Sequence, residues 1–176
     1  MIQKHRATAL HYDFRLEIGD AMPSWAVPKG PSVDTRQKRL AMQVEDHPLD
    51  YAGFEGIIPE GEYGGGTVMI WDEGTYEMLD DADPAAALRK GELRFVLNGK
   101  KLKGRWTLVR TGPRKWLLIK GRDDHVGTTD ITEASPRSVR TKRLLAQIAG
   151  DEGGDVEKAA TGDPAPRKPS AASTRA

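Results

Sequence analysis

The sequence predicts a mainly β fold, a small closed or nearly closed β-barrel with a few short flanking helices. Three observations lead there. Seven short runs rich in strand formers, at 11–17, 24–27, 40–45, 67–71, 93–97, 104–110 and 115–120, are set apart by Gly and Pro punctuation. Only two stretches carry helical spacing. Closure removes the unpaired edges that so many short strands would otherwise expose. A two-sheet sandwich is the rival arrangement of the same strands, and no internal repeat implies a solenoid.

Taken in order, the run 11–17 alternates. His11, Asp13, Arg15 and Glu17 fall on one face, while Tyr12, Phe14, Leu16 and the following Ile18 fall on the other, so one face is core. In 40–45, Leu40, Met42 and Val44 are expected to enter the core, which turns Gln43, Glu45 and His47 outward. Pro48 biases His47 away from helical dihedrals and can begin a helical turn that returns Tyr51 to its side. A helix is expected from Asp83 as N-cap through Pro84 and Ala85-Ala86-Ala87-Leu88, stopped by Gly91. The last two strands make a hairpin around Thr111-Gly112-Pro113, with Trp106 and Leu108 alternating with Thr107 and Val109. A second helix is expected over 138–149, where Val139, Leu144, Leu145 and Ile148 approach helical spacing and Gly150 follows the end. Beyond it, Val156 is the only sizeable aliphatic residue, too little to offset the ordering entropy of the rest. The expected organisation is a barrel over 1–132, a linker with a short helix over 133–150, and a disordered low-complexity tail over 151–176.

Composition narrows the chemistry. The 176 residues hold 27 Lys and Arg, 26 Asp and Glu, four His and no Cys. Disulfide scaffolds, thiolate metal sites and thiol nucleophiles are excluded, so any metal rests on His and carboxylates. There is no run of 18 apolar residues and no signal-like start, which points to the cytoplasm and away from a membrane. Net charge is +1, but its distribution is uneven. Nine basic residues and no acidic ones lie between Lys100 and Arg122, and six acidic residues and no basic ones between Asp72 and Asp83. A basic hairpin carrying Trp106 and Trp116 can meet a nucleic-acid backbone and stack on a base, or else both indoles belong to the core.

The polar face of 11–17 is where chemistry is expected. His11 and Asp13, joined by His5 if the chain curls back, place two imidazoles and a carboxylate together, a set suited to manganese, iron, zinc or cobalt. Arg15 beside them complements a phosphate bound to that cation. A solvated strand face with unrelated histidines is the plainer alternative. His47 and Tyr51 can contact a phosphate oxygen or assist proton transfer to a leaving group, or Tyr51 packs and His47 caps. The Gly-rich stretch from Pro59 to Thr67 lacks the Lys-Ser/Thr of a phosphate loop and reads as a tight connection, with Tyr63 a candidate to line a cleft. His125 receives no role.

Read together, His5, the run His11-Tyr12-Asp13-Phe14-Arg15-Leu16-Glu17, Ser24-Trp25-Ala26-Val27-Pro28-Lys29-Gly30-Pro31-Ser32, Glu45-Asp46-His47-Pro48-Leu49-Asp50-Tyr51 and Trp71-Asp72-Glu73-Gly74-Thr75 closely resemble the 3′-phosphoesterase domain of bacterial DNA ligase D. The resemblance extends through Trp116-Leu117-Leu118-Ile119-Lys120, and 138–150 looks like the segment that follows this domain in the family. It implies a small β-barrel and a manganese-dependent hydrolase that works on DNA 3′ ends in non-homologous end joining. Such an enzyme removes a 3′-terminal ribonucleoside and then the remaining 3′-phosphate, leaving the 3′-hydroxyl that a ligase needs. By the same resemblance His5, His11 and Asp13 fall on metal ligands, and Arg15, His47 and Tyr51 on residues that engage the scissile phosphate. Lys29 and Arg39 match further basic residues of that site, and Glu45 a supporting carboxylate that orients a histidine.

The family usually carries an apolar strand just before the position of His5, where only Met1-Ile2-Gln3-Lys4 stand here. The expectation is a misplaced start, a fragment, or a first ligand on a frayed terminus. Ligase and polymerase motifs are missing, so a stand-alone or excised version is expected, meeting DNA ligase, polymerase and Ku in trans. Two other readings compete: a catalytically idle barrel that binds nucleic-acid ends and recruits repair partners, and a phosphoesterase for small nucleotides.

Overall fold

A computed structural model describes residues 1–59, 61 and 65–165, with the Tyr51 side chain also left out of the description. Ten strands form one antiparallel sheet: β1 (Ile2–Arg6), β2 (Leu10–Arg15), β3 (Ala21–Val27), β4 (Arg39–Pro48), β5 (Gly56–Ile58), β6 (Gly66–Asp72), β7 (Gly74–Met78), β8 (Glu92–Gly99), β9 (Lys103–Gly112) and β10 (Lys115–Lys120). Their spatial order is β5-β6-β1-β2-β3-β4-β10-β9-β8-β7, so β5 and β7 are edges and the barrel is nearly closed rather than closed. Yet β6 and β7 are successive in sequence, joined through Glu73, which obliges the sheet to coil until its two ends approach. Asp72 fastens that approach. Its carboxylate accepts the backbone N–H groups of Glu73, Lys100, Lys101 and Leu102 at 2.9, 2.9, 3.0 and 2.9 Å, tying the end of β6 to the β8–β9 turn. Tyr76 of β7 donates its hydroxyl to the carbonyl of Glu17, 2.6 Å away, on the far side of the same gap.

The interior is aromatic. Tyr12, Phe14 and Leu16 enter it, as the alternation along β2 predicts, and meet Trp25, Trp71, Phe95, Trp106 and Trp116. The β4 phase is the reverse of the expected one. Ala41 is fully buried, Gln43 accepts the Trp116 indole N–H at 3.0 Å, and Leu40 is 42% exposed. The Trp25 and Trp116 rings pack edge to face, 5.5 Å apart, and fill the space beside β4. Only a small residue and an amide acceptor fit there, and Leu40, Met42 and Val44 are turned outward. Trp106 and Trp116, at 1% and 0% exposure, belong to this core, which removes them from any stacking role.

Helix α1 (Pro84–Lys90) runs from an Asp83 cap to Gly91 in the left-handed region, as its residues predict. The segment 138–149 differs from expectation. Ser138 Oγ accepts the N–H groups of Arg140 and Thr141, and Lys142 adopts φ 63°, so a turn precedes the helix. Beyond the short α2 (Ile131–Ala134), α3 spans Leu145–Glu152 and α4 spans Val156–Ala160. Order therefore continues past Gly150. Ala159 joins the core with Leu145, Ile148 and Ala149, and Asp163 accepts the N–H groups of Leu145 and Ala146 at the start of α3. Residues 166–176 of the expected tail, and Tyr63, lie outside the described residues. No helix among the described residues is long and apolar enough to cross a membrane.

Candidate metal centre

Pairing of β1 with β2 assembles the site. His5 lies directly opposite His11, and Gln3 opposite Asp13, so these side chains share the face turned away from the core. No curl of the chain is needed: His5 sits within a strand flanked by β2 and β6. The two imidazoles stand 4.9 Å apart. Asp13 Oδ2 is 3.2 Å from His11 Nε2 and 3.6 Å from His5 Nδ1. One ligand atom from each of the three residues falls within 4.8 Å of the others.

Two features fit this trio to a divalent cation. His5 Nε2 is buried with no hydrogen-bond partner, a costly state for a ring nitrogen unless its lone pair is otherwise engaged. The donor set itself, two imidazoles and a carboxylate, suits borderline transition metals. His11 is oriented from behind, its Nδ1 3.3 Å from the Ala9 carbonyl, which turns Nε2 toward Asp13. Burial works against charge on Asp13, but the His11 and His5 imidazoles and the Arg15 guanidinium outweigh it and hold the carboxyl well below the usual range. Burial likewise opposes a charged His11, yet the Asp13 carboxylate raises its pKa above the ordinary value. The centre is a negative charge fixed in place between two imidazoles.

Arg15 is anchored on the same face. Its guanidinium donates to Gln3 Oε1 at 3.0 Å and Ser24 Oγ at 2.8 Å, and approaches Asp13 Oδ2 at 3.4 Å. Its Nη1 also lies 2.9 Å from His47 Nδ1. His47 reaches this face through a β-bulge. Val44 pairs with Ser24, but His47 pairs with Met22, so β4 carries one extra residue between them. That residue shifts the alternation and brings Val44 and His47, three positions apart, to the same face. His47 Nδ1 also lies 3.0 Å from the Glu45 carbonyl. One nitrogen cannot serve both: bare, it accepts from Arg15; carrying a hydrogen, it donates to Glu45. Burial and then the Arg15 charge push the His47 pKa below its ordinary value, so the ring is neutral near pH 7.

Residues 3–110 match the family described as the DNA ligase D 3′-phosphoesterase domain. The chain belongs to that family. It is 50% identical over 157 residues to the multifunctional non-homologous end joining protein LigD of Pseudomonas aeruginosa, covering 85% of this chain and 18% of that protein. The corresponding DNA repair protein LigD of Mycobacterium tuberculosis is 48% identical over 126 residues, 70% of this chain and 16% of its own length. LigD of Mycolicibacterium smegmatis is 42% identical over 131 residues, 70% of this chain and 17% of its own. The chain thus spans less than a fifth of the length of these curated relatives.

Of the residues that the phosphoesterase resemblance singles out, the structure gathers His5, His11, Asp13, Arg15 and His47 on one face. Tyr51 lies on a single 3-10 turn, Leu49–Gly53, immediately after β4. Glu45 is exposed and meets His47 through its backbone carbonyl rather than its carboxylate. Lys29 and Arg39 do not join the group. They line a separate cavity of about 340 Å³ with Lys4, Tyr12 and Thr132, and Lys4 and Tyr12 alternate with the metal-site residues onto the opposite face. Sequence reasoning missed Gln3 and Ser24, the two neutral side chains that hold Arg15. The signal available for Gln3 was its parity with His5 in a strand too short and polar to stand out.

Proposed function

We propose that this chain is a manganese-dependent 3′-phosphoesterase that heals DNA 3′ ends during non-homologous end joining. As a phosphodiesterase it removes 3′-terminal ribonucleosides, and as a phosphomonoesterase it removes 3′-phosphates, leaving a 3′-hydroxyl that can be ligated. The observation that carries the reading is the His5, His11 and Asp13 cluster with Arg15 and His47 locked beside it, in a chain of this family. Mn²⁺ held by His5, His11 and Asp13 supplies a Lewis acid for a phosphate oxygen. Arg15, already oriented by Gln3 and Ser24, turns its guanidinium charge toward the phosphate and offsets the charge that develops in the transition state. His47, neutral near pH 7, takes up or returns a proton as the ester bond breaks. Tyr51 steadies the same phosphate from the turn after β4. The scissile phosphate is joined to the terminal ribose through its 5′-oxygen, so the 2′-hydroxyl of that ribose acts as a recognition group in the first step, and a deoxyribose terminus should slow that step sharply.

In this reading residues 1–132 are the catalytic barrel, the substrate is a primer-template with a 3′-ribonucleotide or 3′-phosphate, and DNA ligase, polymerase and Ku are partners at the nucleoid in the cytoplasm. The test is incubation with Mn²⁺ and a labelled primer-template ending in one ribonucleotide, with an EDTA control and products resolved at single nucleotides. Metal-dependent trimming through a 3′-phosphate to a 3′-hydroxyl supports the reading, and its loss in His11→Ala ties it to the cluster. A folded, Mn²⁺-loaded protein that leaves both ends intact refutes it.

A further inference from the structure

A phosphate held at the His5, His11 and Asp13 cluster must have its nucleotide chain leave by one side of the sheet. On the β1 side the way is closed, because every residue of β6 is buried. The other side is open and low. There β3 presents Ala26, half-buried, and Ser24, which already lies beneath Arg15. Direct cross-strand neighbours then continue the row: Asp13 faces Ala26, Ala26 faces Met42, and Met42 faces Lys115. Three inter-strand spacings put Lys115 about 14 Å from Asp13. Along β4 the same face shows Leu40 and Val44, and along β10 it shows Leu117 opposite Leu40. These aliphatic side chains are turned outward by the two indoles behind Ala41 and Gln43. At the margin Lys38, Arg114 and Lys115 are exposed and make no ion pair among the described residues.

We propose that this β3–β4–β10 face is the track for the nucleic-acid strand that carries the scissile phosphate. The nucleoside next to that phosphate lies over Ala26 against Met42, and a flanking phosphate reaches Lys115. The proposal rests on the phosphoesterase reading and adds the direction of the substrate. The chemistry matches a strand of sugars and bases with regularly spaced charges: an aliphatic strip for the former, unpaired cations at its margin for the latter. Continuity decides for nucleic acid over a protein occupant, since the row begins on a metal ligand and anything seated on it abuts the phosphate.

Two variants test this in the full chain, Met42→Glu and Lys115→Gln, with affinity for a fluorescein-labelled 3′-phosphate primer-template followed by anisotropy across a salt series. KM and kcat on the same DNA are read alongside. Met42→Glu is expected to weaken binding and raise KM at least about tenfold with kcat nearly unchanged. Lys115→Gln is expected to weaken binding modestly and reduce the slope of log affinity against log salt by about 1. Lys115 is exposed, so its result stands even if Met42→Glu disturbs folding. Wild-type DNA affinity, salt slope and KM in both variants would overturn the proposal and leave the phosphoesterase reading intact. So would variants that change only a wild-type dimer seen by light scattering. If the wild type binds DNA without turnover, the same anisotropy series still decides the track while the catalytic reading falls.

Discussion

Replacing Asp72 by Ala should destabilise the barrel where its two ends meet. The carboxylate accepts four backbone N–H groups, of Glu73, Lys100, Lys101 and Leu102. Leu102 is fully buried, and its N–H stranded without a partner costs about 2 kcal/mol. The other three lie nearer solvent, where water can replace the lost acceptor, and cost about 0.5 kcal/mol each. The total is about 3.5 kcal/mol, which for a domain of this size lowers Tm by about 10 °C. Asp72→Asn separates the contributions. Oδ1 takes three of the donors and Oδ2 takes the Leu102 N–H, so an amide can keep one set only by facing the other with its NH₂. About half the loss is expected. Differential scanning calorimetry or circular dichroism melts of the three proteins measure it. A shift below about 2 °C in the Ala variant would refute the reasoning, because the turn would then hold its shape without the carboxylate.

Three further outcomes are expected. His5→Ala should reduce Mn²⁺ affinity more than about a hundredfold by titration calorimetry while lowering Tm by only a few degrees, since the buried ring loses its Nδ1 contact with Asp13 but no bond at Nε2 among the described residues. Arg15→Lys should lower kcat about a hundredfold with a smaller effect on KM, because a compact ammonium lacks the planar fork that spans Gln3, Ser24 and a phosphate. At acid pH the pair of Lys120 with Asp123, 2.8 Å apart, should weaken. Burial opposes a charged Asp123, but bonds from Lys120 and the Arg105 and His125 N–H groups outweigh it and lower its pKa to about 2 from 3.8. A depressed carboxyl stabilises the fold fully above pH 4 and loses that contribution as pH falls toward 2. After discounting for solvent, Asp123→Asn should cost about 1 kcal/mol near neutrality and flatten the unfolding curve between pH 4 and 2.

The parts of the fold that were legible are those in which local chemistry and tertiary position agree. The polar and apolar faces of β2 differ in kind, so alternation sorted them, and Asp83, Pro84 and Gly91 mark the ends of α1 with their own backbone preferences. β4 misled because its larger apolar side chains lie on the face turned away from the core. Side-chain size pointed Leu40, Met42 and Val44 inward, while the two tryptophans beyond them left room for Ala41 alone. β1 was missed because Lys4, which reads as a solvent residue, is 1% exposed. The C-terminal segment is held by a few small contacts that bulk composition does not weigh: Ala159 packs into the core, Asp155 accepts the Lys158 N–H as a local cap, and Asp163 accepts at the start of α3 from 18 residues away. Within the site the charged and aromatic-nitrogen residues were visible by type. Their neutral supports and the bulge were not, because neither has a signature apart from the strand pairing that creates it.

That bulge lets the imidazole reach the arginine from a strand one residue longer than the partner it pairs with. Glu45 and Asp46 stand between Val44 and His47, where Pro23 alone stands between Ser24 and Met22. The side chains of Glu45 and Asp46 are exposed and can vary in identity at little expense to the barrel. Were both kept in an unbroken ladder, alternation would rotate the imidazole to the opposite surface, leaving every functional residue still encoded but the arginine and histidine separated by the thickness of the sheet. Removing one would leave the histidine two positions from Val44, on the same face by plain alternation. The site therefore hangs on how this stretch pairs with β3 rather than on the letters between Val44 and His47.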